Sequence, residues 1–165
     1  MKESFAFLAC FVILSLPFSV GGQDNTHPSL PKYVHVTRYD PNRNADTDIK
    51  NAVIEARRTG KLVLVDVGGE WCVWCHILDE FFDHNPKLLE YREQNYVMVK
   101  INYSPENKND KVLSRYPAIP GFPHLFVLDT KGKLLRSQGT EELEAGKSYN
   151  SEKVYGFLRK WALQK

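Results

Sequence analysis

The feature that most constrains this chain is a buried-strand pattern followed at once by two closely spaced cysteines. Residues 62–67 form an apolar run interrupted only by Asp66, which is typical of a central strand covered on both faces. After a glycine-rich turn, residues 71–76 read Trp-Cys-Val-Trp-Cys-His and open a stretch with helical spacing. Two cysteines on a first helical turn bring their sulfurs together, and the helix N-terminus stabilises a thiolate. We therefore predict a reactive pair in which Cys72 attacks and Cys75 resolves the mixed disulfide.

The first 22 residues have a composition unlike the rest of the chain. Residues 5–16 are almost wholly apolar, and Pro17 and small residues follow them. Because about 20 apolar residues are needed to span a bilayer, this pattern predicts a secretory signal peptide over residues 1–22. An uncleaved N-terminal membrane anchor is the alternative. We expect the mature protein to be exported, to the periplasm or the extracellular space, without Cys10.

The totals indicate one globular domain with a chemically active cysteine pair. A chain of 165 residues, 42% hydrophobic, is long enough for one core. The net charge of +2, with both signs interspersed, gives no sign of nucleic-acid binding. A disulfide that closes a two-residue loop restrains the unfolded chain very little, so the mature pair is predicted to be reactive rather than structural. We expect a monomer that needs no cofactor.

The rest of the sequence predicts alternating strands and helices. Residues 23–45 are assigned to an N-terminal arm and residues 46–165 to the folded domain. Asp46 is the predicted N-cap of the first helix, and Asn85-Pro86 is predicted to divide the helix that follows the cysteines, with Asn85 as the cap of the second part. Strands are predicted at 33–36 (a short edge strand), 62–67, 96–101, 124–128 and 133–136, and further helices near 111–115 and at the C-terminus. This order predicts an α/β fold with a central mixed sheet flanked by helices on both faces.

Four features in this order resemble the thioredoxin superfamily over residues 47–163. The first feature is a strand followed by a turn and Trp-Cys-x-x-Cys. The second is Asp66, which lies six residues before Cys72. Lys100 lies in a later strand where the family often has a lysine, and Gly-Phe-Pro at 121–123 matches the family's cis-proline segment. The resemblance implies a thioredoxin-like fold and a thiol–disulfide oxidoreductase that exchanges disulfides or dithiols with partner proteins.

The resemblance also implies roles for individual residues. Burial favours the uncharged form of an acid, which suits a group that takes the proton from Cys75; Asp66 is assigned this role, with a simple pairing to Lys100 as the alternative. A cis peptide before Pro123 leaves neighbouring backbone free to pair with an extended peptide. The expected partner-binding surface comprises Trp71, Trp74, Gly121 and Phe122, although such aromatic residues also occur in cores.

The chain departs from the family pattern where the redox potential is set. The usual Gly-Pro between the cysteines is Val-Trp here, and His76 and His124 replace residues that are commonly Lys and Thr. A charged His76 near the thiolate would stabilise it, whereas a solvated histidine would not. We expect Lys100, His76 and Pro123 to tune a potential that spans about 150 mV among family members. The acid and the lysine favour a reductase, and a membrane electron donor is a further candidate partner.

Other functions fit parts of the same pattern. Cys-x-x-Cys-His attaches haem in exported c-type cytochromes, and the two cysteines with His76 and His84 are a possible set of metal ligands. A thioredoxin-fold binding or chaperone module without redox turnover is the main alternative, but such a module has no need of Asp66. A peroxidase is less well supported, because the mature chain contains no additional cysteine.

Overall fold

The computed structural model describes residues 32–162, and these build a four-stranded mixed sheet with helices on both faces. The strands are β1 (Leu62–Gly68), β2 (Tyr96–Asn102), β3 (His124–Leu128) and β4 (Leu134–Gly139). Their spatial order is β2-β1-β3-β4, with β1 parallel to β2 and antiparallel to β3, and β3 antiparallel to β4. The predicted fold class is confirmed.

Within residues 32–162, five helices flank this sheet. They are α1 (Ala45–Thr59), α2 (Val73–Asp83), α3 (Pro86–Asn95), the single turn α4 (Asp110–Leu113) and α5 (Ser151–Trp161). A 3₁₀ turn, Thr140–Leu143, precedes a two-residue hairpin formed by β5 (Glu144–Ala145) and β6 (Ser148–Tyr149). Among residues 32–162, no helix is both long enough and apolar enough to cross a membrane.

The alternation of side chains along β1 assigns each residue to one of two cores. Val63, Val65 and Val67 belong to a cluster shared with α1 on one face. Leu62 and Leu64 belong to the other cluster, shared with α2, α3 and α5. Since side chains alternate along a strand, residue 66 faces the same side as residues 62 and 64. The buried acid of β1 therefore faces the side that carries the cysteine helix.

Local signals placed most elements correctly, but several details of the predictions are wrong. The N-cap of α1 is Asn44, whose side chain accepts a hydrogen bond from the Thr47 N–H, and Asp46 lies inside the helix. The helix does divide at Asn85-Pro86, but Asn85 makes no capping bond and instead donates to the Phe81 carbonyl.

Two further differences lie at the edges of the fold. In place of the predicted strand at 33–36, the structure has a single parallel bridge between Val36 and Val99 at the edge of the sheet. The β5–β6 hairpin was not predicted, since the sequence at 144–149 carries no strand-like alternation. The predicted signal peptide, Cys10 and the start of the arm lie outside the described residues.

Candidate active site

The cysteine pair stands at the point where β1 passes into α2. Cys72 is the N-cap residue of α2, and its sulfur accepts a hydrogen bond from the Cys75 N–H at 3.2 Å. The two residues form a disulfide, with their Cα atoms 5.2 Å apart. Cys72 is 4% exposed and Cys75 is fully buried. Because an N-cap sulfur faces the free N–H groups of the first turn, this position favours a thiolate on Cys72 in the reduced protein.

Asp66 and Lys100 lie side by side on the cysteine face of the sheet. They are paired in the parallel register of β1 and β2, so both side chains point to the same face. Lys100 Nζ lies 3.3 Å from Asp66 Oδ2, and both side chains are buried. The contact between the acid and the lysine that the resemblance implied is therefore present.

A second carboxylate, not predicted from the sequence, binds the same lysine. The Asp79 oxygens accept hydrogen bonds from Lys100 Nζ at 2.7 and 2.8 Å. Burial raises the pKa of Asp79, and Lys100 offsets part of that rise. A water-accessible cleft of about 630 Å³, lined in part by Asp79 and Lys100, opens beside this group. The spacing offered a clue, because a residue four positions after Cys75 lies on the same helix face.

The proline segment packs close to the disulfide. The Phe122–Pro123 peptide is cis, and the Pro123 carbonyl accepts a hydrogen bond from Thr140 Oγ1 at 2.8 Å. Phe122 packs against the cluster that contains both cysteines. A Cβ added to Gly121 would meet no atom within 4 Å, so this part of the loop borders open space. The structure thus places Phe122 against the cysteine pair, with Gly121 and Pro123 next to it in the chain.

Aromatic side chains form a rim around the disulfide. Trp71 is 54% exposed, and its ring meets Phe122 edge-on at 5.6 Å between centroids. Phe122 in turn stacks on Tyr103 at 4.8 Å, and Trp71 Nε1 donates to the Tyr103 carbonyl at 2.7 Å. Val73, 68% exposed, extends this apolar surface between the cysteines.

Trp74, predicted to belong to the partner-binding surface, also packs towards the core. Its ring is half-buried and meets Tyr149 edge-on at 5.7 Å, and the Tyr149 hydroxyl donates to the Trp74 carbonyl at 3.3 Å. This residue packs against both the cysteine cluster and the helical core. Trp74 therefore joins the site to the β5–β6 hairpin, in addition to any contact with a partner.

The two histidines that depart from the family pattern differ in environment. His76 is exposed, and its Nε2 lies 2.8 Å from the Glu70 carbonyl oxygen. The ring therefore contacts the turn before Cys72. His124 is buried next to Pro123, and burial lowers its pKa. Its Nε2 lies 2.8 Å from Ser137 Oγ.

His84 lies at the far end of α2 and binds the Glu80 carbonyl; among residues 32–162, no group of three or more candidate metal ligands occurs.

Tyr39 is a site residue that sequence reasoning missed, because it lies in the segment assigned to the N-terminal arm. It is 3% exposed and clusters with Cys72 and Cys75. The Lys100 ammonium lies 4.2 Å from the centre of its ring. No sequence pattern indicated this contact, because Tyr39 is more than 30 residues from the cysteines and lies in a segment without periodicity.

Comparison with known proteins decides the family. A family model described as thioredoxin-like matches residues 44–130, more than half of the chain, and includes both cysteines. The chain belongs to the thioredoxin-like family. Its predicted class, a thioredoxin-like thiol–disulfide oxidoreductase, agrees with the names of its relatives.

Among solved structures, this thioredoxin-like chain is similar to a disulphide isomerase from Xylella fastidiosa. The sequence identity is 26% and the TM-score 0.64, and the match covers 78% of this chain and 98% of the isomerase. A thioredoxin from Thermus thermophilus, 21% identical with a TM-score of 0.50 over 74% of this chain and 85% of that protein, shares the fold.

Two curated relatives of this thioredoxin-like chain are disulfide-exchange proteins. The thiol:disulfide interchange protein DsbD of Pseudomonas fluorescens is 28% identical over 116 residues, which are 69% of this chain and 18% of DsbD. The disulfide bond reductase DsbH of Chlamydia pneumoniae is 27% identical over 88 residues, which are 48% of this chain and 52% of DsbH. The chain thus spans about half or less of the length of these relatives.

Proposed function

We propose that this protein is an exported thiol–disulfide reductase that exchanges the Cys72–Cys75 pair with disulfides in partner proteins. The observation that carries the proposal is the location of the pair at the start of α2, on the sheet face that holds Asp66. A first thiol at a helix N-terminus, a fully buried second thiol and a buried acid are the three groups that a two-step exchange needs.

The proposed reaction begins with the reduced dithiol. The Cys72 thiolate attacks a partner disulfide, forms a mixed disulfide and releases one partner thiolate, which takes a proton from solvent. Cys75 then gives its proton to Asp66 and attacks Cys72 Sγ. The intramolecular disulfide forms, the bond to the partner breaks, and the partner leaves as a thiolate that is protonated in turn. The partner gains two electrons and the cysteine pair loses two.

The contacts of Lys100 support a route for the proton that Asp66 receives. Lys100 Nζ contacts Asp66 on one side and Asp79 on the other, and Asp79 borders a cleft open to water. We infer that the proton leaves through this cleft while the partner covers the cysteine face. Such a connection lets Asp66 pass its proton to water between turnovers.

The exposed rim supports docking of an extended apolar segment of the partner. Trp71 and Val73 flank Cys72, and Gly121 borders open space beside the cis-proline. Exposed aromatic side chains next to an accessible backbone are typical of peptide-binding surfaces. In this proposal the rim binds the partner, and Trp74 holds the rim against the hairpin.

The reducing direction and the export of the protein are further parts of the proposal. The contact between Asp66 and Lys100 and the similarity to a protein named as a disulfide bond reductase favour reduction. A reductase outside the cytoplasm needs electrons from a membrane donor, which we include as a proposed partner. The apolar run at residues 5–16 favours a signal peptide; N-terminal sequencing of the exported protein would test cleavage after Gly21 or Gly22.

The direct test is a redox titration of the domain from residue 23 onward in graded glutathione buffers, read by tryptophan fluorescence. We expect one reversible two-electron transition, absent in Cys72→Ser. Cys75→Ser is the matched variant, and we expect it to accumulate a stable mixed disulfide with glutathione that mass spectrometry detects. A reduction potential of about −270 mV, as in thioredoxin, supports a reductase. A reduction potential of about −120 mV indicates an oxidant.

Two outcomes would overturn this proposal. If the wild-type domain shows no transition, the cysteines do not turn over, and a binding or chaperone module is favoured. A haem absorption band in the purified protein would instead indicate covalent haem attachment through residues 72–76.

A further inference from the structure

Tyr39 places an unpaired hydroxyl group inside the active site. An ideal Cβ built on Gly68 would lie 2.5 Å from Cys75 Sγ and 3.0 Å from the Tyr39 hydroxyl oxygen. The sulfur and the hydroxyl therefore both lie against the same point of β1, two residues after Asp66. Only glycine leaves this space free, so residue 68 allows the tyrosine and the second cysteine to approach each other.

The hydroxyl group and the buried acid are complementary in their hydrogen-bonding needs. Within residues 32–162, the Tyr39 hydroxyl and both Asp66 oxygens are buried and have no hydrogen-bond partner of standard geometry. Burial raises the pKa of Tyr39 well above its usual value, and the Asp66 charge raises it further, so the phenol keeps its proton. A buried donor beside a buried carboxylate, neither of them hydrogen-bonded, needs an explanation, and a hydrogen bond formed between them during the reaction supplies one.

The tyrosine is held in place from three directions. Its backbone N–H donates to Glu70 Oε1 at 3.2 Å, which ties it to the turn before Cys72. The Lys100 ammonium lies over its ring, and the two cysteines pack against it. A ring fixed in this way carries its hydroxyl at one location, as a positioning group requires.

We propose that Tyr39 is a positioning residue whose hydroxyl donates a hydrogen bond to the Asp66 carboxylate when Cys75 gives up its proton. This inference rests on the proposed function and adds a residue to its second step. The proton moves from the Cys75 thiol to Asp66, and Tyr39 remains protonated throughout. The hydrogen bond holds the acid as a carboxylate facing the sulfur until the proton arrives, since bonding to the charged form favours that form.

Several charged or titratable groups surround this pair from neighbouring elements. They are Lys100 on β2, Asp79 on α2, Arg92 on α3, Glu70 in the turn and Tyr149 on β6. Tyr39→Phe changes none of these charges and keeps the ring, so a change in pH dependence reports the hydroxyl group alone. Tyr96→Phe is the matched control, because the Tyr96 hydroxyl is also buried but donates to the Leu158 carbonyl at 2.6 Å, outside the site.

The first measurement is the rate at which the mixed disulfide between Cys72 and glutathione decays. Rapid mixing gives this rate at a series of pH values between 5.5 and 9. In Tyr39→Phe we expect the pH profile to move about one unit higher and the lifetime near neutral pH to lengthen up to about tenfold. Tyr96→Phe should reduce stability but leave the profile in place. A profile in Tyr39→Phe identical to that of the wild type would overturn the proposal.

A second measurement does not depend on turnover. Carboxyl ¹³C NMR of the reduced protein, with Asp66→Asn to assign the signal, follows the pH at which Asp66 takes up its proton. We expect this midpoint to move to higher pH in Tyr39→Phe and to stay in place in Tyr96→Phe. An unmoved midpoint would overturn the role of Tyr39 even in an active enzyme. If the wild-type domain fails to exchange disulfides, the proposed function fails, and the NMR titration still decides whether the hydroxyl contacts Asp66.

Discussion

Lys100 Nζ binds the two oxygens of Asp79 at 2.7 and 2.8 Å and lies 3.3 Å from Asp66 Oδ2. One cation therefore serves two carboxylates, one on the central strand and one on the cysteine helix. The tighter partner is the half-exposed one, which leaves the fully buried acid with the weaker contact. Because the hydrogen bonds of Lys100 go to Asp79, the Asp66 oxygens stay available to the proton of Cys75.

Removal of the lysine should cost more stability than removal of the buried acid. Lys100→Met leaves Asp66 with no cation in contact, and we expect the free energy of unfolding to fall by about 3–5 kcal/mol. Asp66→Asn keeps the pair between Lys100 and Asp79, so the loss should be smaller. Urea unfolding of the three proteins at pH 7 measures both changes. Equal losses in the two variants would contradict the unequal sharing.

Asp66 should control the second step of the exchange and not the first. In Asp66→Asn the Cys75 thiol has no base beside it, and we expect the mixed disulfide at Cys72 to decay about 10²-fold more slowly at pH 7. The initial attack by Cys72 should be nearly unchanged. Rapid mixing with glutathione disulfide separates the two steps, and Asp110→Asn, an exposed acid on α4, is the control. Decay as fast as in the wild type would remove Asp66 from the mechanism.

The exposed ring of Trp71 should matter for protein substrates and much less for small ones. Trp71→Ala removes an aromatic contact worth about 1–2 kcal/mol at a binding surface, so we expect KM for a disulfide-bonded protein substrate to rise about tenfold. The rate with glutathione disulfide should stay within about twofold, because so small a substrate covers little of the rim. Tyr155→Ala, an exposed aromatic residue on α5, is the control. A similar loss with both substrates would indicate damage to the site.

His124 should make the fold sensitive to mild acid. Burial lowers its pKa in the folded protein, with a smaller opposing contribution from Glu141. The contribution of His124 to stability is therefore fully present above its pKa in the unfolded chain, about 6.5. It is lost as the pH falls through its pKa in the folded protein. We expect the wild type to lose more stability than His124→Gln between pH 8 and pH 5.

Urea midpoints at both pH values, with His84→Gln on the surface as the control, measure this difference. Asp79, whose raised pKa works in the opposite direction, is present in all three proteins, so its contribution cancels in the comparison. Parallel losses in the wild type and His124→Gln would show that His124 does not titrate across the unfolding transition.

Short-range sequence patterns predicted the elements that carry the site. The apolar run of β1 and the cysteines after it defined the strand, the turn and the start of α2. The pair Asn85-Pro86 divided the helix where expected, and the apolar run at residues 96–101 marked β2. These features depend on residues within a few positions of each other, so propensity and periodicity are sufficient to reveal them.

The contacts that complete the site depend on tertiary packing. Tyr39 reaches the cysteines from a segment more than 30 residues away, and Asp79 binds Lys100 across the gap between α2 and β2. Trp74 packs on Tyr149 from a hairpin that has no clear strand pattern. Such contacts join segments whose local patterns are independent of one another, so the sequence determined the strand, the helix and the reactive pair. The packing of distant segments decided which buried groups surround that pair, because only the folded chain brings them within hydrogen-bonding distance.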